Sequence, residues 1–270
     1  MTFLMAALLP IQAQAIELCG KKAQGEILKG YAPGASKILF NNQEYMVSPS
    51  GNFLIAFGRD AQKEQKLTAV SDKNGKQYYN FTITPTKWDI QNIKGVPQKK
   101  VTPSEKDQKE ITRERSDLKK ALAHKTDKNY WEKGFIMPVE GRISGKFGGQ
   151  RIMNGKKMNP HQGLDIAAPE GTPVKAASNG IVRMSGGNYF YTGNTVVIDH
   201  GHELYTIYAH LKSADVKVGD YVKQGQIIGK VGKTGRVTGA HLHWGATLNG
   251  TRFLPTSLLH MNNADFCFNL

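Results

Sequence analysis

The sequence of 270 residues has no apolar run long enough to cross a bilayer, which takes about 20 residues, so no stable membrane span is expected. Cysteine is scarce, since Cys19 and Cys267 are the only two. Acidic residues are few beside basic ones, with 22 Asp and Glu against 36 Lys and Arg and a formal net charge of +14. The apolar content is still that of a globular protein, which excludes a fibrous or wholly disordered chain.

Residues 1–15 are predicted to be a signal peptide. The apolar stretch Phe3 to Leu9 is followed by Ala13-Gln14-Ala15, the small-x-small pattern after which signal peptidase cuts. The segment lacks the Lys or Arg of a charged n-region, so a buried N-terminal strand or helix is the alternative. We therefore expect an exported protein of the periplasm or cell envelope, whose mature chain begins near Ile16.

In an exported chain, Cys19 and Cys267 are expected to form a disulfide. The chain-entropy model credits so long a loop with roughly 5 kcal/mol. Two free thiols are the alternative, because a sequence does not show that the Cα atoms approach. The positive charge favours polyanions, which outside the cytoplasm are wall polymers and anionic lipid surfaces, so no nucleic-acid partner is expected.

Three zones follow the leader and predict a mainly β protein. Residues 16–95 carry short β-rich runs separated by turn pairs such as Asn74-Gly75, which indicates a small antiparallel β-sandwich with an accessory role. Residues 96–133 form a predicted helical linker, with one amphipathic helix from Pro103 to Trp131 and a candidate capping box at Ser104 and Asp107. Residues 134–262, rich in Gly and β-branched residues, predict an all-β domain of antiparallel sheets, and residues 263–270 are a C-terminal tail.

Three motifs in the last zone predict a metal site: His161-Gln-Gly-Leu-Asp165, Tyr208-Ala-His210 and His241-Leu-His243. Imidazole nitrogens and carboxylate oxygens bind borderline metals, and a catalytic zinc keeps three protein ligands and one open position. Along a strand, residues two apart point to the same face about 6.6 Å from each other, so the last motif can present both imidazoles together. His161 and Asp165 would lie about 13 Å apart on a straight strand, so the chain must bend at Gly163. Spacing alone does not settle which histidine binds metal and which catalyses.

These motifs and their surroundings resemble the lysostaphin and LytM type of zinc endopeptidases. The resemblance rests on Asn159 to Val174, Tyr208 to Leu211, Gly219 to Gly225 and Thr238 to Trp244, and it covers roughly Phe135 to Leu259. The N-terminal zone and linker are similar, more loosely, to the accessory region of Gram-negative periplasmic members. The resemblance implies a LytM-like metallopeptidase domain, bound Zn²⁺, and peptidoglycan as substrate.

By this resemblance, His161, Asp165 and His243 are the zinc ligands, His241 is the general base, and His210 helps to stabilise the tetrahedral intermediate. The implied function is an endopeptidase that hydrolyses peptide cross-links or stem peptides of peptidoglycan by metal-activated water. A non-catalytic regulator of the same fold, which binds the wall or activates an amidase, is the alternative. A third reading is an active enzyme whose substrate is a protein or a bacteriocin peptide.

Other residues receive open interpretations. His200 and His202 flank Gly201 in a predicted hairpin turn, where they are structural or solvent-exposed. Asp199 either orients a metal ligand or belongs to the turn. Four aromatic residues either line a substrate groove or belong to the core: Tyr189, Tyr191, Tyr208 and Trp244. The N-terminal zone is further expected to restrain access to the zinc groove, because it is tethered through a helix.

Overall fold

The computed structural model describes residues 16–95 and 103–262, so the predicted leader, the tail and Cys267 lie outside the described residues. Within these ranges the protein is mainly β with largely antiparallel sheets, which confirms the predicted fold class. The strands before the linker are β1 Glu17–Cys19, β2 Ile27–Tyr31, β3 Lys37–Phe40, β4 Gln43–Tyr45, β5 Asn52–Ala56, β6 Glu64–Ser71, β7 Gly75–Thr82 and β8 Ile90–Ile93. Those after it are β9 Arg142–Gly145, β10 Gln150–Met153, β11 Lys156–Lys157, β12 Leu164–Ala167, β13 Pro173–Lys175, β14 Gly180–Tyr189, β15 Gly193–Asp199, β16 Leu204–Ala214, β17 Tyr221–Val222, β18 Ile227–Val231, β19 His241–Leu248 and β20 Thr251–Phe253.

Helices are few in the described residues. Helix α1 spans Glu105–Ala121, and two 3-10 helices cover Trp131–Lys133 and Pro255–Asn262. Across residues 16–95 and 103–262, no helix is both long and apolar enough to cross a membrane.

Cys19, in β1, is buried and disulfide-bonded.

Two antiparallel sheets make up the N-terminal zone, with strand orders β1-β2-β5 and β4-β3-β6-β7. Burial alternates along the first residues of β6, as expected of a strand with one face in a core. Aromatic rings join the two sheets. The ring centroid of Phe40, in β3, lies 5.8 Å from that of Phe57, which follows β5, and 6.4 Å from that of Phe81, in β7.

Strand β8 departs from this arrangement. It pairs in parallel with β10 of the C-terminal zone, with Ile90 opposite Gln150, and β10 pairs in turn with β11. The preceding residue adds a bond, because the Gln150 backbone N–H donates to the carbonyl of Asp89 at 2.9 Å. The N-terminal zone therefore shares a small sheet with the C-terminal zone.

The C-terminal zone is built on a ten-stranded sheet with the main order β17-β14-β15-β16-β19-β12-β9. Strand β19 pairs with β16 on one side and β12 on the other, and β20 completes the hairpin beyond it. Tyr208 and Trp244 stand opposite each other on β16 and β19 and are fully buried. Both aromatics therefore belong to the core, so a groove-lining role for them is wrong.

Helix α1 packs on the face of this sheet that is opposite to Tyr208 and Trp244. Leu118 of the helix and Leu122, which caps its end, pack against a buried cluster that includes Tyr205 and Ile207 of β16. The predicted capping box is present: the Ser104 hydroxyl accepts from the Asp107 backbone N–H, and the Asp107 carboxylate accepts from the Ser104 backbone N–H.

The helix ends at Ala121, about ten residues before the predicted end at Trp131. Beyond Leu122 the chain has no further apolar residue at helical spacing, and its backbone bonds to the sheet domain instead. Thr126 shows this, because its carbonyl accepts from the His202 backbone N–H at 2.9 Å and its hydroxyl donates to Asp199 at 2.6 Å.

Candidate metal centre

Three side chains from two separated motifs bring their donor atoms together. His161 Nε2 lies 3.0 Å from Asp165 Oδ1 and 3.1 Å from His243 Nδ1, and His243 Nδ1 lies 2.8 Å from the same carboxylate oxygen. All three side chains keep some solvent exposure. The convergence of two imidazole nitrogens and one carboxylate oxygen at a partly open position matches the donor set of a catalytic zinc site.

Strand pairing positions two of these donors. Asp165 of β12 stands directly opposite His243 of β19, and Ala167 stands opposite His241, so the metal-facing residues share one face of the sheet. His161 precedes β12 and reaches the site from a loop. Its backbone N–H donates to the Gly149 carbonyl at 2.8 Å, and its carbonyl accepts from the Gly148 N–H at 2.9 Å.

Two glycines leave room for the donors. A Cβ at Gly163 would lie only 2.6 Å from His243 Nε2, and a Cβ at Gly145 of β9 would collide with the Asp165 carboxylate. A side chain at Gly163 would displace the His243 ring, and a side chain at Gly145 would displace the Asp165 carboxylate. Gly163 therefore serves close approach as well as the bend that the sequence predicts.

The protonation of the cluster also suits a cation. His161 Nδ1 lies 2.9 Å from the carbonyl of Lys146, which only accepts, so Nδ1 carries the hydrogen and the neutral ring directs the Nε2 lone pair at the cluster. Burial alone would raise the pKa of Asp165, but hydrogen bonds and charge from His161 and His243 outweigh it and hold that pKa well below its usual range. Burial would lower the pKa of His161, yet Asp165 raises it. A carboxylate facing two imidazole nitrogens is a fitting site for a divalent metal.

Two further histidines lie beside the donors without joining them. His241 Nε2 is 3.8 Å from Asp165 Oδ1, and the His210 and His241 ring centroids are 4.8 Å apart. Each of these two rings has Nδ1 against a backbone carbonyl, that of Thr234 at 3.0 Å for His210 and that of Gly239 at 2.9 Å for His241. In the neutral form each ring therefore presents Nε2 as a proton acceptor.

His210 occupies a conformation that few residues other than glycine adopt. Its φ is +64°, at a point where the pairing of β15 with β16 is irregular, and its backbone N–H donates to the Thr192 carbonyl at 2.8 Å. Burial, with the charges of His243 and His241, lowers the pKa of His210 to about 3. The ring is therefore neutral near pH 7.

A buried glutamate on the linker helix holds the loop on which His210 depends. The Glu114 carboxylate accepts hydrogen bonds from the Tyr191 N–H at 2.9 Å, the Thr192 N–H at 3.0 Å and the Thr192 hydroxyl at 2.8 Å. Sequence reasoning missed this residue. Its position in the apolar stripe of the helix, three residues after Ile111 and four before Leu118, was the available signal.

The loop that supports His161 is held from the N-terminal zone. Arg59 Nε donates to the Gly148 carbonyl at 2.7 Å, and Trp88 Nε1 donates to the Arg59 carbonyl at 3.0 Å. A Cβ at Gly148, whose φ is +78°, would overlap the Trp88 ring, so the indole lies directly against this loop. The N-terminal zone thus contacts the segment that hydrogen-bonds the first metal donor.

The remaining candidates make their contacts outside the three-donor cluster. His200 and His202 are buried, so solvent exposure is wrong for both, and His200 bonds to Asn179 and Thr206. Asp199 accepts from Arg183, Thr126 and the Gly201 N–H and contacts no metal donor, so a ligand-orienting role is wrong. The hydroxyl of Tyr189 donates to Asp117 of the linker helix, and Tyr191 lies under the guanidinium of Arg236.

Comparison with known proteins gives a consistent assignment for this domain. A family model described as peptidase family M23 matches residues 159–255. Peptidoglycan DD-endopeptidase ShyC of Vibrio cholerae is 44% identical over 119 residues, which are 43% of this chain and 27% of that protein. DD-carboxypeptidase/endopeptidase Mpg of Neisseria gonorrhoeae is 42% identical over 120 residues, 44% of this chain and 27% of that protein. The match thus spans about a quarter of the length of these curated relatives.

One solved structure resembles nearly the whole chain. A Pseudomonas aeruginosa protein assigned to peptidase M23 superposes with a TM-score of 0.68 and 28% identity, covering 89% of this chain and 96% of that one. The similarity therefore extends beyond the residues that the family model matches and includes the zones before them.

Proposed function

Since residues 159–255 belong to peptidase family M23, we propose that this protein is a zinc-dependent endopeptidase that hydrolyses peptide cross-links or stem peptides of bacterial peptidoglycan. The observation that carries the proposal is the convergence of the His161, Asp165 and His243 donor atoms beside the two non-ligand imidazoles of His210 and His241. Similarity to proteins named peptidoglycan DD-endopeptidases supports the substrate.

In the proposed mechanism, His161, Asp165 and His243 would hold zinc, which would supply a Lewis acid to activate water and polarise the scissile carbonyl. His241 takes the proton of the attacking water at Nε2 and passes it to the leaving amine. The Gly239 carbonyl keeps the Nδ1 hydrogen of His241 in place, so the basic lone pair faces the reacting atoms.

The proposed role of His210 is to stabilise the oxyanion of the tetrahedral intermediate, whose negative charge favours the protonated ring. Its neutral ring carries the hydrogen on Nδ1, bonded to Thr234, and so presents an acceptor at Nε2. It can donate to an oxyanion only after gaining a proton. Because its ring lies 4.8 Å from that of His241, a proton on either ring strengthens the field that stabilises the developing negative charge.

The sharpest test of the function is metal removal. Purified protein incubated with peptidoglycan sacculi is expected to release soluble fragments whose new ends identify a cleaved peptide bond. Chelation should abolish release, and added Zn²⁺ should restore it. Digestion by metal-free protein at the original rate would contradict the proposal.

A regulator without catalysis is the second candidate, and the same assay separates it. Such a protein would release no fragments alone yet would accelerate a wall amidase added to the sacculi. The complete set of donors and bases in this chain favours the enzyme.

We also propose that the protein acts outside the cytoplasm. A disulfide-bonded Cys19 supports an oxidising compartment, and the proposed wall substrate lies there as well. Export of a tagged chain, followed by cleavage after Ala15, is the corresponding measurement.

The contacts of Arg59 and Trp88 with the Gly148 loop support a further proposal, that the N-terminal zone restrains the zinc groove. Trp88→Ala loosens this contact and is expected to speed sacculus digestion. Tyr78→Ala, at an exposed residue of the same zone, is the control. Slower digestion with reduced zinc content would contradict restraint and show that the zone supports the His161 loop.

Loss of the Glu114 carboxylate is expected to lower kcat by roughly 10- to 100-fold while zinc content stays unchanged, because Thr192 then releases the backbone of His210. Glu114→Gln, which keeps the size of the side chain, should show a smaller loss than Glu114→Leu. Glu110→Gln, an exposed site on the same helix, is the control. A further fall when Glu114→Leu is combined with His210→Ala would argue against an effect transmitted through His210.

A further inference from the structure

An arginine lies on the face of the sheet that carries the metal donors. Arg252 of β20 stands opposite Thr247 of β19, and Thr247, Gly245 and His243 follow one another at steps of two on the same face. A Cβ at Gly245 would lie 3.4 Å from Arg252 Nη1. The guanidinium therefore extends back along β19, against the buried Gly245, towards His243.

In the part of the chain that the structure describes, this guanidinium has no counter-charge. Among residues 16–95 and 103–262, no carboxylate lies within 4.0 Å of it and no side-chain hydrogen bond reaches it, although it is partly buried. Arg183, by contrast, is paired with the buried Asp199 at 2.9 Å. Burying a charge without a partner is costly, so a carboxylate of the substrate would be a favourable partner for this arginine beside the metal centre.

The guanidinium remains charged near neutral pH. Burial lowers the pKa of Arg252 to about 10, which still leaves it protonated near pH 7. Because Arg252 Nη1 lies against Gly245, two residues from His243 on β19, an anion bound to it would lie close to the reacting atoms.

Chemistry and distance identify the anion. Guanidinium groups bind carboxylates through two parallel N–H donors, and carboxylates are the anionic groups of peptides. Gly245 is one two-residue step from His243, about 7 Å along the strand. An extended peptide advances about 3.3 Å per residue, so the bound carboxylate belongs to a residue within about two positions of the scissile bond.

We propose that Arg252 binds a carboxylate of the substrate peptide and so selects wall peptides with a free carboxylate near the cleaved bond. This inference rests on the proposed function, because it assumes that peptides occupy the metal face. It makes Arg252 a residue of substrate specificity rather than of metal binding.

The test uses two synthetic stem peptides that differ only in whether that carboxylate is free or amidated. The parent protein is expected to prefer the free acid, and Arg252→Gln to raise KM for the acid on the order of 10- to 100-fold while KM for the amide stays unchanged. Arg252→Lys, which keeps the charge but loses the planar fork, should fall between them. Equal changes for both peptides, or none, would overturn the proposal.

Binding measured in the His241→Ala protein keeps this inference separable from the proposed function. Tighter binding of the acid than of the amide, lost in His241→Ala with Arg252→Gln, supports the carboxylate site even if no peptide is hydrolysed. Equal affinity for both peptides in the His241→Ala protein overturns it. Zinc content and thermal unfolding of each variant show that the comparison is between folded, metal-loaded proteins.

Discussion

Asp165→Asn is expected to lower zinc affinity on the order of 100-fold or more, and wall hydrolysis with it. Losing a hydrogen-bond partner of a ligand already costs 10- to 100-fold in metal affinity, and Asp165 is itself a donor. It supplies the negative charge between His161 and His243, at 3.0 Å and 2.8 Å. The amide keeps the shape but removes that charge, so the two imidazoles face a neutral group.

The measurement is zinc content and competition with a chromophoric chelator, alongside circular dichroism to show that the sheet is intact. Asp215→Asn, an exposed aspartate in the same domain, is the matched control and should keep its zinc. Retention of zinc by Asp165→Asn at the parent affinity would remove Asp165 from the ligand set.

His241→Ala is expected to reduce kcat on peptidoglycan by about 100- to 10,000-fold with zinc retained, because general base catalysis contributes that range. The geometry separates loss of the general base from loss of a metal ligand. His241 Nε2 stands 3.8 Å from Asp165 Oδ1, outside the three-atom cluster, so its loss takes away a proton acceptor and no metal donor.

His124→Ala, at an exposed histidine after the linker helix, should leave both zinc and kcat unchanged. If His241→Ala lost its zinc, the ring would count as a ligand. If it kept full activity, the base would have to be His210. His241→Ala, read beside its control, therefore decides whether His241 is a metal ligand, the general base or neither.

Local pattern was sufficient to predict the strands and the last metal motif. Alternation and turn residues predicted strands such as Lys37–Phe40, which the structure has with the same bounds. The spacing of His241 and His243 predicted that both rings share a face, as the structure shows, because a strand repeats every two residues.

Long-range contacts were beyond the sequence. The position of His161 depends on a loop that Trp88 and Arg59 contact from another zone, and no local period reports such a contact. The helix end at Ala121 was missed for a similar reason, because Thr126 bonds to residues far along the chain. Burial of His200 depends on partners that surround it only in the folded sheet.

The number of residues in strand β19 determines which of its side chains face the metal side of the sheet. Its imidazoles face the metal side at alternate positions, while Leu242 and Trp244 fill the opposite side. One residue inserted or deleted there would turn the imidazoles inward and the two apolar side chains outward. Attempts to evolve new cleavage preferences should therefore tolerate length changes at turns such as Asn154-Gly155, but only substitutions within β19.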